Sequence, residues 1–177
     1  LLAPMSSSFK TVRDRLENVE AMRKARIHPI TVLNARGIYS KGKGDKGSLS
    51  WNVNNQMKDV LQDAFYGSFA TIEPSGEDYF IGIDCSGSMY MSNVPGTSLT
   101  CAEVAAVMAM ATMRVEKNYW VGGFNTKMSE LAISPKMTLD QVMNVTSRFA
   151  WGGTDCSLPM LTEMEKGMGT INKFLVY

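Results

Sequence analysis

The period of the apolar residues changes once along the chain. Up to about residue 70 they recur at helical spacing, and from Asp78 onward short apolar runs of strand length alternate with helical stretches. Phe9, Val12, Leu16 and Val19 form a stripe with Met22 close to it and charges elsewhere, which predicts a helix over Phe9–Lys24. Ser6, Ser7 or Ser8 can cap it. His28-Pro29 opens a second helix reaching about Tyr39, with proline suited to the first turn. Lys41–Ser50 reads as a Gly/Lys loop. A third helix, Asn54–Phe69, repeats the amphipathic pattern through Met57, Val60, Leu61, Ala64, Phe65 and Phe69. Three successive helices without a strand fit part of a helical array. The turn-rich run Glu73-Pro74-Ser75-Gly76-Glu77 then separates a helical segment, 1–76, from a second segment, 77–177.

In the second segment Tyr79–Asp84 reads as a buried strand, rich in β-branched and aromatic residues. A helix over Leu99–Lys117 and a strand over Tyr119–Asn125 follow. Ser129–Ile133 comes too soon after that strand for a helical crossover and is expected as an antiparallel edge. Helices are expected over Thr138–Phe149 and Ser157–Met168, and a last strand over Lys173–Tyr177. This βαββααβ order predicts an α/β fold with an open, mostly parallel sheet of the doubly wound, Rossmann-like type. Ligands of such sheets collect beyond the carboxyl ends of the strands, where Asp84 stands. A sheet ending on Lys173–Tyr177 would present a hydrophobic edge strand, an aggregation hazard.

Composition narrows the function classes. With 177 residues, 45% hydrophobic and 20% charged, the chain can bury a sizeable core and shows no sign of disorder. A net charge of +1 selects neither nucleic acid nor membrane as a partner, although a local basic patch stays open. Cys85, Cys101 and Cys156 have no ligand-like spacing and fit buried free thiols in a reducing compartment. The fourteen methionines fall mostly in helical segments, where they fill gaps. Leu1-Leu2-Ala3-Pro4 is too short for a secretory signal. The longest apolar window, Val104–Met113, has only ten residues and is too short to span a bilayer, so no membrane partner is expected. Asn144-Val145-Thr146 matches a glycosylation sequon inside an expected helix and reads as chance.

The chemistry concentrates in Asp84-Cys85-Ser86-Gly87-Ser88, between a buried strand and a buried helix. One carboxylate and two hydroxyls on a single turn suit a hard cation such as Mg²⁺, which prefers octahedral oxygen ligands and keeps some waters. The plainer alternative is that Asp84 caps the turn and the serines satisfy loop amides. Other motifs weaken on inspection. Gly37-x-x-x-x-Gly42-Lys43 has Gly44 where a phosphate loop needs Ser or Thr, and Gly42-x-Gly44-x-x-Gly47 lacks a preceding strand. Lys41, Lys43 and Lys46 could touch phosphate, with a solvated loop as the ordinary explanation. His28, the single histidine, reads as a packing and capping residue more readily than as a ligand contact. Cys85 has no base beside it and Asp84 no second aspartate, so no enzyme activity is expected.

Joined by Gly152-Gly153-Thr154, the Asp84–Ser88 loop resembles the metal-ion-dependent adhesion site of a von Willebrand factor A domain. The longer run Gly152–Met160, with Lys24-Ala25-Arg26-Ile27-His28-Pro29 upstream, resembles the 60 kDa Ro autoantigen family, ring-shaped RNA-binding proteins of the TROVE type. Ala64-Phe65-Tyr66, Glu73-Pro74 and Met137-Thr138-Leu139-x-Gln141-Val142 fit the same pattern. The resemblance implies HEAT-like repeat helices of the ring followed by roughly the first two-thirds of an A domain. It implies small noncoding RNA as partner, Y RNA outside the ring and misfolded RNA in its cavity, with most RNA-binding helices upstream of Leu1. It implies a divalent cation, Mg²⁺, with hydroxyl ligands from Ser86, Ser88 and Thr154 and a coordinated water held by Asp84. The further Asp usual in the family would lie just after Tyr177, with Asp155 as a conceivable substitute. An open coordination position would take an acidic side chain of a protein partner. The implied compartment is the cytoplasm, with the nucleus as a second. Two rivals remain: an A domain that recognises a partner carboxylate without an RNA role, and a metal-dependent phosphohydrolase using Asp84.

Overall fold

The computed structural model describes residues 3, 5–167, 169 and 171–177. The chain forms two compact units, one of residues 1–73 with 96–98 and one of 74–95 with 99–177.

The first unit is helical. Helix α1 (Ser7–Leu16) is capped by the Ser6 hydroxyl, which accepts from the Phe9 amide at 3.1 Å. The apolar stripe continues beyond Leu16, but the backbone does not. The side chain of Asn18 accepts from the Ala21 amide at 2.9 Å and starts a new helix, α2 (Val19–Lys24). The single helix expected over Phe9–Lys24 is therefore two, because an asparagine side chain offers its own backbone a cap. Helix α3 (Pro29–Lys41) ends on Gly42 in the left-handed region, φ +70°. Helix α4 (Asn55–Ser68) follows, continued by a 3₁₀ turn over Phe69–Thr71. Phe9, Met57 and Leu61 form one cluster of this unit's core, with Val12, Leu16, Tyr39 and Val60 around them. The Gly/Lys loop is pinned where it returns: Trp51 stacks on Tyr39 and its indole N–H donates to the Tyr39 carbonyl at 2.9 Å.

The second unit is a four-stranded sheet with helices on both faces. Strand β1 (Tyr79–Asp84) leads into helix α5 (Gly87–Met91), then helix α6 (Cys101–Val115), strand β2 (Tyr119–Phe124) and strand β3 (Met128–Glu130). Helix α7 (Leu139–Thr146), helix α8 (Leu158–Lys166) and strand β4 (Lys173–Val176) complete it. Met168, the expected end of α8, lies outside the described residues. The strand order is β3-β2-β1-β4, with β1 parallel to both neighbours and β3 antiparallel to β2. The fold is thus the mostly parallel α/β sheet that the element order predicts.

Strand alternation assigns the two faces. Ile81, Ile83, Cys85 and Val121 pack with Ala105, Ala109 and Met113 of α6. On the opposite face Gly82 lies under Pro159 of α8, so close that a Cβ there would meet the ring at 2.7 Å. Two reciprocal capping boxes, Thr100 with Glu103 and Thr138 with Gln141, fix where α6 and α7 begin. Helix α5 has no counterpart in the sequence reading, since five residues are too few to show a period. No helix among the described residues is long and apolar enough to cross a membrane.

Candidate functional site

Strand β1 delivers Asp84 to the carboxyl edge of the sheet. The Asp84 amide donates to the Tyr177 carbonyl at 2.7 Å, and the Cys85 amide to the Phe124 carbonyl at 2.8 Å. The turn after β1 is thereby anchored to both neighbouring strands. Asp84 Oδ1 accepts from the Ser86 amide at 2.7 Å, which closes the turn and fixes the carboxylate plane. The Ser86 hydroxyl is buried and stands 3.2 Å from the Ser88 hydroxyl, which is exposed on the first turn of α5.

The Gly152-Gly153-Thr154 loop approaches from the other side. Gly152 has φ +85°, a backbone open to glycine. The Asp155 amide donates to the Asn125 carbonyl at 2.9 Å, while the Asn125 side-chain amide donates to the Phe149 carbonyl at 2.9 Å. Asn125, just past β2, therefore ties down both ends of the loop. Its role had no signal in the sequence beyond an asparagine at a strand end. Thr154 Oγ1 then stands 3.5 Å from Asp84 Oδ2. That distance is long for an O–H···O hydrogen bond, so the contact marks convergence of two oxygens more than bond energy.

Asp84, Ser86, Ser88 and Thr154 thus lie in one chain of contacts. Among the described residues no three His, Cys, Asp or Glu side chains cluster as a metal site. The oxygens available are one carboxylate and three hydroxyls, a hard donor set. Ligands at right angles about a small ion at 2.0–2.1 Å stand about 2.9 Å apart. The Ser86–Ser88 separation of 3.2 Å is close to that spacing, so these two hydroxyls fit neighbouring positions about such an ion. Asp155 is turned to another task. Its Oδ1 accepts from the Ser157 hydroxyl at 2.6 Å and the Ser157 amide at 3.0 Å, and these bonds hold its pKa below the usual carboxylate value.

The remaining sequence candidates fall outside this cluster. Cys85 is fully buried, and burial, followed by the charge of Asp84, pushes its thiol up to about 12. It is a packing residue at neutral pH, without nucleophilic character. His28 caps α3: its Nδ1 accepts from the Ile30 amide at 3.2 Å, and burial lowers its pKa. Lys41 pairs with Asp45 at 3.1 Å within the Gly/Lys loop, which follows a helix and not the strand that a phosphate loop requires.

Comparisons with known proteins agree on one family. A family model described as the Ro60 vWA domain matches residues 78–177. An RNA-binding protein RO60 of Caenorhabditis elegans is 36% identical over 163 residues, which is 92% of this chain and 25% of that protein. An RNA-binding protein RO60 of Deinococcus radiodurans is 32% identical over 173 residues, 97% of this chain and 32% of that protein. The crystal structure of the Deinococcus radiodurans RO (RSR) protein matches 100% of this chain with a TM-score of 0.87 at 29% identity, covering 36% of that chain. The chain spans a quarter to a third of the length of these curated relatives.

Proposed function

The chain belongs to the Ro60 von Willebrand factor A family, and from that premise we propose that it is part of an RNA-binding protein of ribonucleoprotein particles. Its partners in this reading are small noncoding RNAs, namely Y RNAs and misfolded RNAs held for quality control. The observation that carries the reading is similarity across both units: the two curated RNA-binding relatives match 92% and 97% of the chain. The helices of residues 1–73 would contribute to the wall of a HEAT-like ring of the TROVE type. The proposed role is non-catalytic, which the inert Cys85 thiol favours, and the proposed compartment is the cytoplasm, where Cys85, Cys101 and Cys156 stay reduced.

In the A-type unit, Ser86, Ser88 and Thr154 would hold a Mg²⁺ ion directly and Asp84 through water. The ion would supply a fixed positive charge and a coordination position open to an acidic group. Ser88 and Thr154 are exposed, which leaves room for the carboxylate of a protein partner. Chelation and salt separate the two activities. Binding of a labelled single-stranded RNA should weaken steeply with rising salt through counterion release and persist in EDTA. Capture of a partner carboxylate should vanish in EDTA and in Ser86→Ala. RNA binding that is absent at low salt would overturn the RNA reading.

A further inference from the structure

We propose that a cavity in the helical unit, between the end of α2 and the 3₁₀ turn after α4, is a subsite for a phosphodiester of the RNA backbone, with Arg26 as its anion-binding residue. The proposal rests on the RNA-binding reading above. The cavity has a volume of about 370 Å³ and its wall includes Arg23, Arg26, His28, Thr71 and Glu73.

The backbone at Arg26 is the first argument. Helix α2 ends in paired hydrogen bonds, Arg26 N–H to the Arg23 carbonyl at 2.9 Å and Ile27 N–H to the Met22 carbonyl at 3.0 Å. This termination requires left-handed backbone at residue 26, and φ there is +53°. Glycine usually fills such a position because it has no Cβ. Here an arginine holds it at the expense of local strain, and strain of this kind collects at functional sites.

The charge on the wall is the second. Arg23 is already engaged, with Glu20 at 3.0 Å and the Ala70 carbonyl at 2.8 Å. His28 is engaged in its cap, and the Thr71 hydroxyl donates to the Ser68 carbonyl at 2.8 Å. The Arg26 guanidinium has no hydrogen bond or ion pair among the described residues. It is therefore the cation open to a ligand. Glu73 on the same wall opposes a dianion but tolerates a phosphodiester, which carries a single charge. The neighbouring ribose offers a 2′-hydroxyl, a donor that a carboxylate accepts. An arginine with a carboxylate thus favours the RNA backbone over free phosphate and over DNA.

The test uses the 177-residue chain, a fluorescein-labelled single-stranded RNA, and anisotropy over a series of salt concentrations. Arg26→Gly removes the guanidinium and relieves the backbone, so the variant should unfold no earlier than the parent on heating. Its Kd for RNA should rise about tenfold, the loss of one charge-assisted contact. The slope of log K against log salt should fall by about 0.7, one phosphate contact on a single strand. Arg26→Lys should keep that slope with weaker binding. Unchanged affinity and slope in Arg26→Gly would overturn the subsite while leaving the RNA reading intact. A parent chain that binds no RNA would overturn that reading, and the dinucleotide UpU then decides the subsite by NMR. Shifts of the Arg26 and Thr71 amides would support it, and their absence would remove it. Equal shifts with inorganic phosphate or with the DNA dinucleotide would overturn the phosphodiester and ribose assignment.

Discussion

Thr154 Oγ1 lies 3.5 Å from Asp84 Oδ2, across 70 residues of intervening sequence. Neither residue is placed by the other. Asp84 is set by β1 and its backbone bonds to β2 and the end of β4, and Thr154 by the Asn125 brace on its loop. The end of β2 holds both, through the Phe124 carbonyl on one side and Asn125 on the other, so in the cation-site reading proposed above little would have to reorganise when an ion enters.

This oxygen set makes the first prediction. Mg²⁺ should bind the chain in calorimetry, and Ser86→Ala should weaken it at least about tenfold, the lower end of what even outer-shell changes do. The Ser86 hydroxyl meets the Ser88 hydroxyl, so its removal leaves Ser88 accessible to water and should spare the fold. Saturating Mg²⁺ at about a hundred times Kd should add about 2.7 kcal/mol to unfolding stability in the parent and much less in the variant. Equal Mg²⁺ affinities in the two proteins would place the ion elsewhere.

Glu116 carries the second. Only 9% exposed at the end of α6, its carboxylate accepts from the Ser75 amide at 2.7 Å, the Ser75 hydroxyl at 2.9 Å and the Gly76 amide at 3.1 Å. Burial acts to raise its pKa, but the three hydrogen bonds outweigh it and the net shift is downward from 4.5. The unfolded state therefore binds this proton more readily than the folded state. The contribution is fully present above 4.5 and is lost as pH falls through the lower folded value. Glu116→Gln should lower stability at neutral pH by about 1–3 kcal/mol, and the gap between variant and parent should narrow in acid. Urea unfolding at several pH values measures both, and a gap that widens in acid would contradict the clamp.

This clamp shows where sequence reading stops. The strand Tyr79–Asp84 and the two loops at its carboxyl edge are legible, because strand period and turn chemistry are local. The pairing of Glu116 with Ser75 spans 41 residues, and a glutamate at a helix end looks like any solvated charge. The placement of β4 beside β1 is likewise non-local. The break at Asn18 fails for a different reason. Apolar period reports which face is buried, while capping by a side chain decides whether the backbone continues. The left-handed arginine is invisible for the same reason, since nothing in its side chain announces its φ.

Gly82 makes the third prediction, from close approach and not from chain flexibility. A Cβ there would stand 2.7 Å from Pro159 Cγ and 3.4 Å from Phe124 Cε1. A proline ring cannot rotate away, so α8 must shift. Gly82→Ala should destabilise the fold by about 1–3 kcal/mol, the range for overpacking a filled core. A urea midpoint unchanged from the parent would show that α8 sits loosely on the sheet.

The last concerns the outer strand. Among the described residues β4 is an edge of the sheet, and Phe174 and Val176 on it are 37% and 39% exposed. Met160, Leu161 and Met164 of α8 are exposed as well. An edge strand offers unpaired backbone groups, and apolar side chains beside it let a second copy join the ladder. The isolated chain should therefore self-associate with rising concentration. Val176→Lys places a charge on the edge, one of the devices by which natural sheets block such pairing. Because the Val176 side chain is not in the core, the substitution should leave the thermal midpoint nearly unchanged while shifting the sedimentation profile toward monomer. A parent chain that sediments as a monomer at every concentration would show that β4 does not template a second copy.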